Sequence, residues 1–170
     1  MLNTAIGRFF LFILLLFLQI ALFDRIHLFG YATPLLYIYC IIKLPGHMNR
    51  SLVLLLSAVL GLCIDLFNNS LGIHMLACVS IGFFRSVFLD WLAPRDLFEE
   101  YIPSFHSFEK WPFLRYAFIM TLLHHIILFL SESLSFFDPL TLFFRIAGSV
   151  FLTILLIFAC ESIHLGVSTK

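Results

Sequence analysis

The sequence predicts an all-α integral membrane protein, one domain of six transmembrane helices with both termini in the cytoplasm. Three observations carry this reading. The chain of 170 residues is 62% apolar and only 12% charged, with a mean hydropathy of +1.06 and 22 phenylalanines. A soluble domain is about 25% charged and cannot hide this much apolar surface in one small core. The apolar residues fall in runs, and since about 20 of them cross a bilayer as a helix, six crossings use most of the length. Finally, ten Lys+Arg balance ten Asp+Glu, so there is no basic excess of the kind that binds nucleic acid. The same composition excludes a disordered chain, a soluble enzyme and a disulfide-stapled secreted module.

The first span, 6–23, has Arg8 ahead of its apolar body, as a signal peptide does. Large residues follow it and no small-x-small cleavage site closes it, so a retained helix is expected. The second, 31–44, contains Pro34, a residue suited to a first helical turn, and is short for a full crossing. The third, 51–67, ends at Asn68-Asn69-Ser70, residue types that hydrogen-bond their own backbone and reverse the chain. The fourth is 71–92. Residues 93–111 form the only long polar connection, with Asp96, Glu99, Glu100 and Glu109 and with Pro94 and Pro103. Pro112 opens the fifth span, 112–130, and Asp138-Pro139 supplies an N-cap and a first-turn proline for the sixth, 139–163.

Orientation follows from the basic residues. Arg8, Lys43, Arg50, Arg85, Arg95, Lys110, Arg115 and Lys170 collect on the side that holds both termini, against Arg25 opposite and Arg145 within a span. Basic loops stay cytoplasmic. Trp91, Tyr101 and Trp111 suit an aromatic belt at that interface.

Few residues suggest chemistry. Cys40, Cys63, Cys78 and Cys160 lie inside spans without CxxC spacing and read as small hydrophobes. His124 and His125 are adjacent, so on a helix they point in different directions and cannot both face one ligand squarely. A packed or hydrogen-bonded pair is expected, not a metal site. His27 and His74 fall near the non-cytoplasmic interface, where a polar side chain needs no special role. No GxSxG or HExxH pattern occurs, so no catalytic, cofactor-binding or metal-binding residue is assigned.

Ionisable residues inside apolar runs are more informative, because burying a lone charge there is costly. Asp65 and Arg145 lie at matched depths from the non-cytoplasmic side, and an ion pair between them would remove two costs at once. Arg85, toward the cytoplasmic end of the fourth span, is expected to snorkel outward. Asp90, Arg115 and Glu161 fall within a turn or so of span ends, within reach of water. Ser57, Gly61 and Asp65 are spaced by four and share one helix face, as do Cys78, Gly82 and Ser86. Small side chains at this spacing let two membrane helices approach closely.

The stretch Gly61-Leu62-Cys63-Ile64-Asp65-Leu66-Phe67-Asn68-Asn69-Ser70-Leu71-Gly72 resembles the signature of the rod-shape-determining membrane protein MreD family: a GxxxD stretch, a short polar turn, then LG opening the next helix. The layout is similar as well, with Leu22-Phe23-Asp24 closing the first span and Pro34 opening the second. The 93–111 connection is longer than the family's usual one. The resemblance implies a non-enzymatic scaffold of the bacterial inner membrane that binds an MreC-like partner. Through that partner it acts with MreB, RodA and a class B penicillin-binding protein, helping to organise peptidoglycan synthesis and rod cell shape during elongation. Ser57, Gly61, Asp65, Gly72, Gly82, Arg85 and Arg145 are the structural or partner-contact candidates. A homodimer stays open, and no nucleic acid or cofactor is expected. The six-helix arrangement also resembles the substrate-binding subunit of energy-coupling-factor vitamin transporters, which supplies an alternative reading. The scarcity of ionisable groups in mid-span favours packing over a solute pathway.

Overall fold

The computed structural model describes residues 5–23, 32–70, 72–94, 101–133 and 138–168. Arg25, His27, Arg95, Asp96, Glu99, Glu100 and Lys170 lie outside them. The helices are α1 (Ala5–Ala21), α2 (Ile38–Ile42), α3 (Arg50–Asn68), α4 (Ile73–Leu92), α5 (Phe105–Phe108), α6 (Lys110–Glu132) and α7 (Pro139–Ser168). Four of these, α3, α4, α6 and α7, are long and apolar enough to cross a membrane, and α1 adds a shorter apolar run over Phe9–Ala21. Their outer faces carry bare apolar side chains such as Phe10, Leu66, Phe143 and Phe151. Such a surface is at home in lipid, not in water.

Helix α6 is the centre of the bundle, burying Phe113, Tyr116, Met120, His124, His125 and Leu128. Helices α3 and α4 form a tight hairpin. Asn49 caps α3 by accepting from the Ser51 amide at 3.0 Å, and Asn69 ends it in the left-handed conformation at φ 54°. Gly72 follows at φ 82°, a conformation that glycine adopts without steric cost. Asp138 accepts from the Leu140 amide and the Thr141 hydroxyl at the start of α7. The Thr141 bond, above all, holds its carboxyl below the ordinary carboxylate range.

The two small-residue faces meet one another inside this hairpin. A Cβ placed on Gly61 would lie 2.4 Å from the Met75 Cα, and one on Gly82 would lie 2.6 Å from Ser57 Oγ. Ser57, Gly61 and Gly82 are thus consumed in closing α3 on α4. Backbone cannot give way at Gly61, so Gly61→Ala should destabilise the protein by about 1–3 kcal/mol as an overpacked contact, and Gly61→Leu should prevent folding. Thermal unfolding in detergent micelles measures the first and the yield of monodisperse protein the second.

The second span departs from expectation. It is helical only over Ile38–Ile42, and residues 32–37 run outside any helix. Pro34 permits this course, since it disfavours the helical region for Thr33 before it and lacks an amide hydrogen. Every residue from 32 to 43 is nevertheless buried, so this thread passes through the protein, not along its lipid surface. It runs in the same direction as α7: Thr33 meets Ser149, Leu35 meets Thr153, and Tyr39 and Lys43 meet Glu161.

The polar connection is also more structured than its composition suggests. Phe105 and Phe108 are buried, with Phe105 edge-on to Phe113 and Phe158. Tyr101 packs on Phe108, and its carbonyl accepts from the Gly46 amide at 2.9 Å. Trp91 and Trp111 are both exposed and suit the interface, whereas Tyr101 is a packing residue with its phenol pushed up by burial.

Candidate functional site

Membrane-depth backbone outside a helix is tolerated only when protein groups satisfy it, because no water is there to do so. The thread meets this demand through three side chains. Ser149 Oγ accepts from the Thr33 amide and Thr153 Oγ1 from the Leu35 amide, each at 3.0 Å. Thr153 in turn donates to the Ser149 carbonyl at 2.8 Å. From α1, Gln19 accepts from the Leu36 amide through Oε1 at 2.8 Å and donates through Nε2 to the Pro34 carbonyl at 3.2 Å. Its amide takes the place of a peptide group on a neighbouring β-strand, pairing with an acceptor and a donor two residues apart.

Deeper in, Tyr37 Oη lies 2.9 Å from His74 Nδ1 and 3.0 Å from His124 Nε2. A phenol has one hydrogen, so it donates to one ring and accepts from the other. His125 turns away, donating from Nδ1 to the Thr121 carbonyl at 2.8 Å. The adjacent histidines therefore serve different neighbours, as their spacing predicts. No group of three or more potential metal ligands occurs among the described residues.

At its C-terminal end the thread closes on Glu161. This carboxylate is 1% exposed and accepts from Tyr39 Oη at 2.6 Å, Lys43 Nζ at 2.7 Å and the Phe105 amide at 3.1 Å. The expectation that Glu161 reaches water is overturned. α7 continues to Ser168, and α5 folds over the place where solvent would enter. Lys43 belongs to the same cluster, at 4% exposure, and is not a loop charge.

The candidate residues fall into distinct roles. Asp65 does not pair with Arg145. It accepts from Ser70 Oγ at 2.5 Å and from the amides of His74 and Met75 at 3.0 and 2.9 Å. It thereby caps the first turn of α4 from the neighbouring helix, where amides lack helical partners. Arg145 instead pairs with Glu132 at 2.9 Å and stacks over the Phe129 ring. Arg85 does not snorkel: it is 3% exposed, and its guanidinium donates to the carbonyls of Ile41, Leu44 and Pro45. They lie in the last turn of α2 and the two residues after its C-cap, so Arg85 completes the pairing of backbone that leaves that short helix.

Sequence reasoning missed Gln19, Tyr37, Ser149, Thr153 and the Lys43–Glu161 pair. One signal was available. Ser149, Thr153 and Glu161 are spaced by multiples of four, so α7 carries three polar residues on one face with a carboxylate at its end, and all three are buried.

Two cavities flank this core. One, of about 450 Å³, opens sideways between α1 and α3 and is lined by apolar residues including Phe9, Phe12, Leu52 and Leu56. The other, of about 280 Å³, sits at the end of the bundle where the thread begins, beside Thr33, His74, Glu132 and Arg145. The chain matches no family model, no curated protein and no solved structure.

Proposed function

We propose that this protein is a six-span scaffold of the bacterial inner membrane that acts in the cell-elongation machinery, in the manner of the MreD family. Its product is an interface with an MreC-like membrane partner, not a reaction. The crossings are α1, the thread 32–44, α3, α4, α6 and α7. The thread joins a non-helical start, 32–35, to a helical second half, so its 13 residues reach about 27 Å, close to the thickness of the hydrocarbon core, where a helix of that length would reach about 20 Å. Both termini face the cytoplasm. Lys43 and Arg85 are spent inside the bundle, yet the remaining basic residues still favour that side.

One observation carries the scaffold reading. Asp65, Arg85, Lys43 and Glu161 are each held by groups of the chain itself, the last two by one another. Charges locked this way do not line a path for a solute, while the open apolar groove between α1 and α3 offers a surface to another membrane helix. The Gly61–Gly72 stretch that carries the family resemblance has a job at each special position: close approach, cap, and two left-handed turns.

Purification of the tagged protein in mild detergent should bring down an MreC-like protein, and depletion should turn rod-shaped cells round. Retention of rod shape on depletion would reject the reading. A second reading, the substrate-binding subunit of a small-molecule transporter, is favoured by the broken helix of the thread beside a polar cavity, a feature of transporter sites. Saturable vitamin binding at nanomolar affinity would select it.

A further inference from the structure

The Arg145–Glu132 ion pair by itself contributes little to stability. Its partners are 33% and 47% exposed, and ion pairs of that kind contribute about 0–1 kcal/mol. Stacking over the Phe129 ring, with the guanidinium carbon 4.4 Å from the ring centroid, holds one face of Arg145 in place. The pair also leaves capacity unused. Both contacts with Glu132 run through Nη2 alone, and the hydrogen bonds of Arg145 to described residues end there. A guanidinium has five donors in a fork suited to a carboxylate.

Both charges line the cavity of about 280 Å³, with Thr33, Asn68, Ser70 and His74 completing its polar wall and Ile73 its accessible apolar one, backed by the buried Leu128 and Phe129. That volume lies at the small end of ligand sites, which begin at about 300 Å³. The half-exposed Glu132 places the opening at the membrane surface.

We propose that this cavity binds a small zwitterion carrying a carboxylate and an ammonium group beside an apolar side chain, the chemistry of a free α-amino acid. A plain anion would meet the repulsion of Glu132, and a plain cation that of Arg145. A zwitterion meets neither, exchanging one ion pair for two while its side chain lies against the partly exposed Ile73. The inference goes beyond the scaffold reading and does not depend on it: failure of amino-acid binding leaves partner capture as it was, and failure of partner capture leaves the cavity as it is.

The test is equilibrium dialysis of the full chain in detergent with radiolabelled leucine and phenylalanine, in competition with N-acetylleucine, which is anionic, and leucinamide, which is cationic. Saturable binding of at least one amino acid is expected, with both blocked analogues weaker by about tenfold or more, the loss of one charge-assisted pair. Glu132→Gln should weaken amino-acid binding and narrow the discrimination against N-acetylleucine. Arg145→Lys should weaken binding while the melting temperature stays near that of the parent, separating ligand contact from folding. The proposal is overturned if neither amino acid saturates. It is overturned equally if N-acetylleucine binds as well as leucine, or if Glu132→Gln leaves both affinities unchanged.

Discussion

Gln19→Leu is expected to unfold the protein at much lower denaturant than the parent chain, with a loss of about 2–6 kcal/mol. The figure follows from two buried backbone groups, the Leu36 amide and the Pro34 carbonyl, each left unpaired at about 1–3 kcal/mol. Leucine nearly matches glutamine in size, so packing changes little and the loss reports the hydrogen bonds. Unfolding in mixed micelles with increasing dodecyl sulfate measures it. Phe17→Leu, on the exposed face of the same helix, is the control and should change stability little. If Gln19→Leu and Phe17→Leu melt alike, the thread does not depend on α1 for its backbone pairing.

The second large effect lies at the other end of the thread. Glu161→Met should cost about 3–5 kcal/mol, because it leaves the Lys43 ammonium buried without its counter-charge. Adding Lys43→Met should return part of that loss, since removing both charges removes the uncompensated one. Recovery stays incomplete while Tyr39 Oη and the Phe105 amide lack an acceptor, and Tyr39→Phe in the same chain should recover more. Glu161→Gln, which keeps an acceptor oxygen, should fall between the parent and Glu161→Met. Unfolding in the same micelles gives the complete cycle. Strictly additive losses at Lys43 and Glu161 would show that the two side chains act independently.

These two regions also mark where the sequence stops being legible. Long apolar runs with prolines and small polar turns at their ends set out α3, α4, α6 and α7 within a few residues, because a bilayer imposes length and polarity on any helix that crosses it. The spacing of Ser57, Gly61 and Asp65 likewise marked the face that meets α4. What periodicity does not reveal is backbone that borrows its partners from afar. Pro34 in a short apolar segment is compatible with a helix start or with an extended strand. The choice was made by Gln19 on one side and by Ser149 and Thr153, more than 100 residues on, on the other. Asp65 and Arg145 have opposite charges at similar depth, which suggested a pair. Each instead satisfied something nearer: two open amides at the start of α4, and Glu132 across the α6–α7 loop.

The thread constrains the order in which this protein is made. An ordinary hydrophobic helix leaves the ribosome with its peptide groups already paired to one another and partitions into lipid as soon as the translocon opens. Residues 32–37 have no such self-sufficiency, since the hydroxyls that complete them are synthesised last, on α7. The nascent chain must therefore hold this stretch in a wet or protein-lined compartment until the C-terminal helix arrives, and the bundle closes around it as a late step.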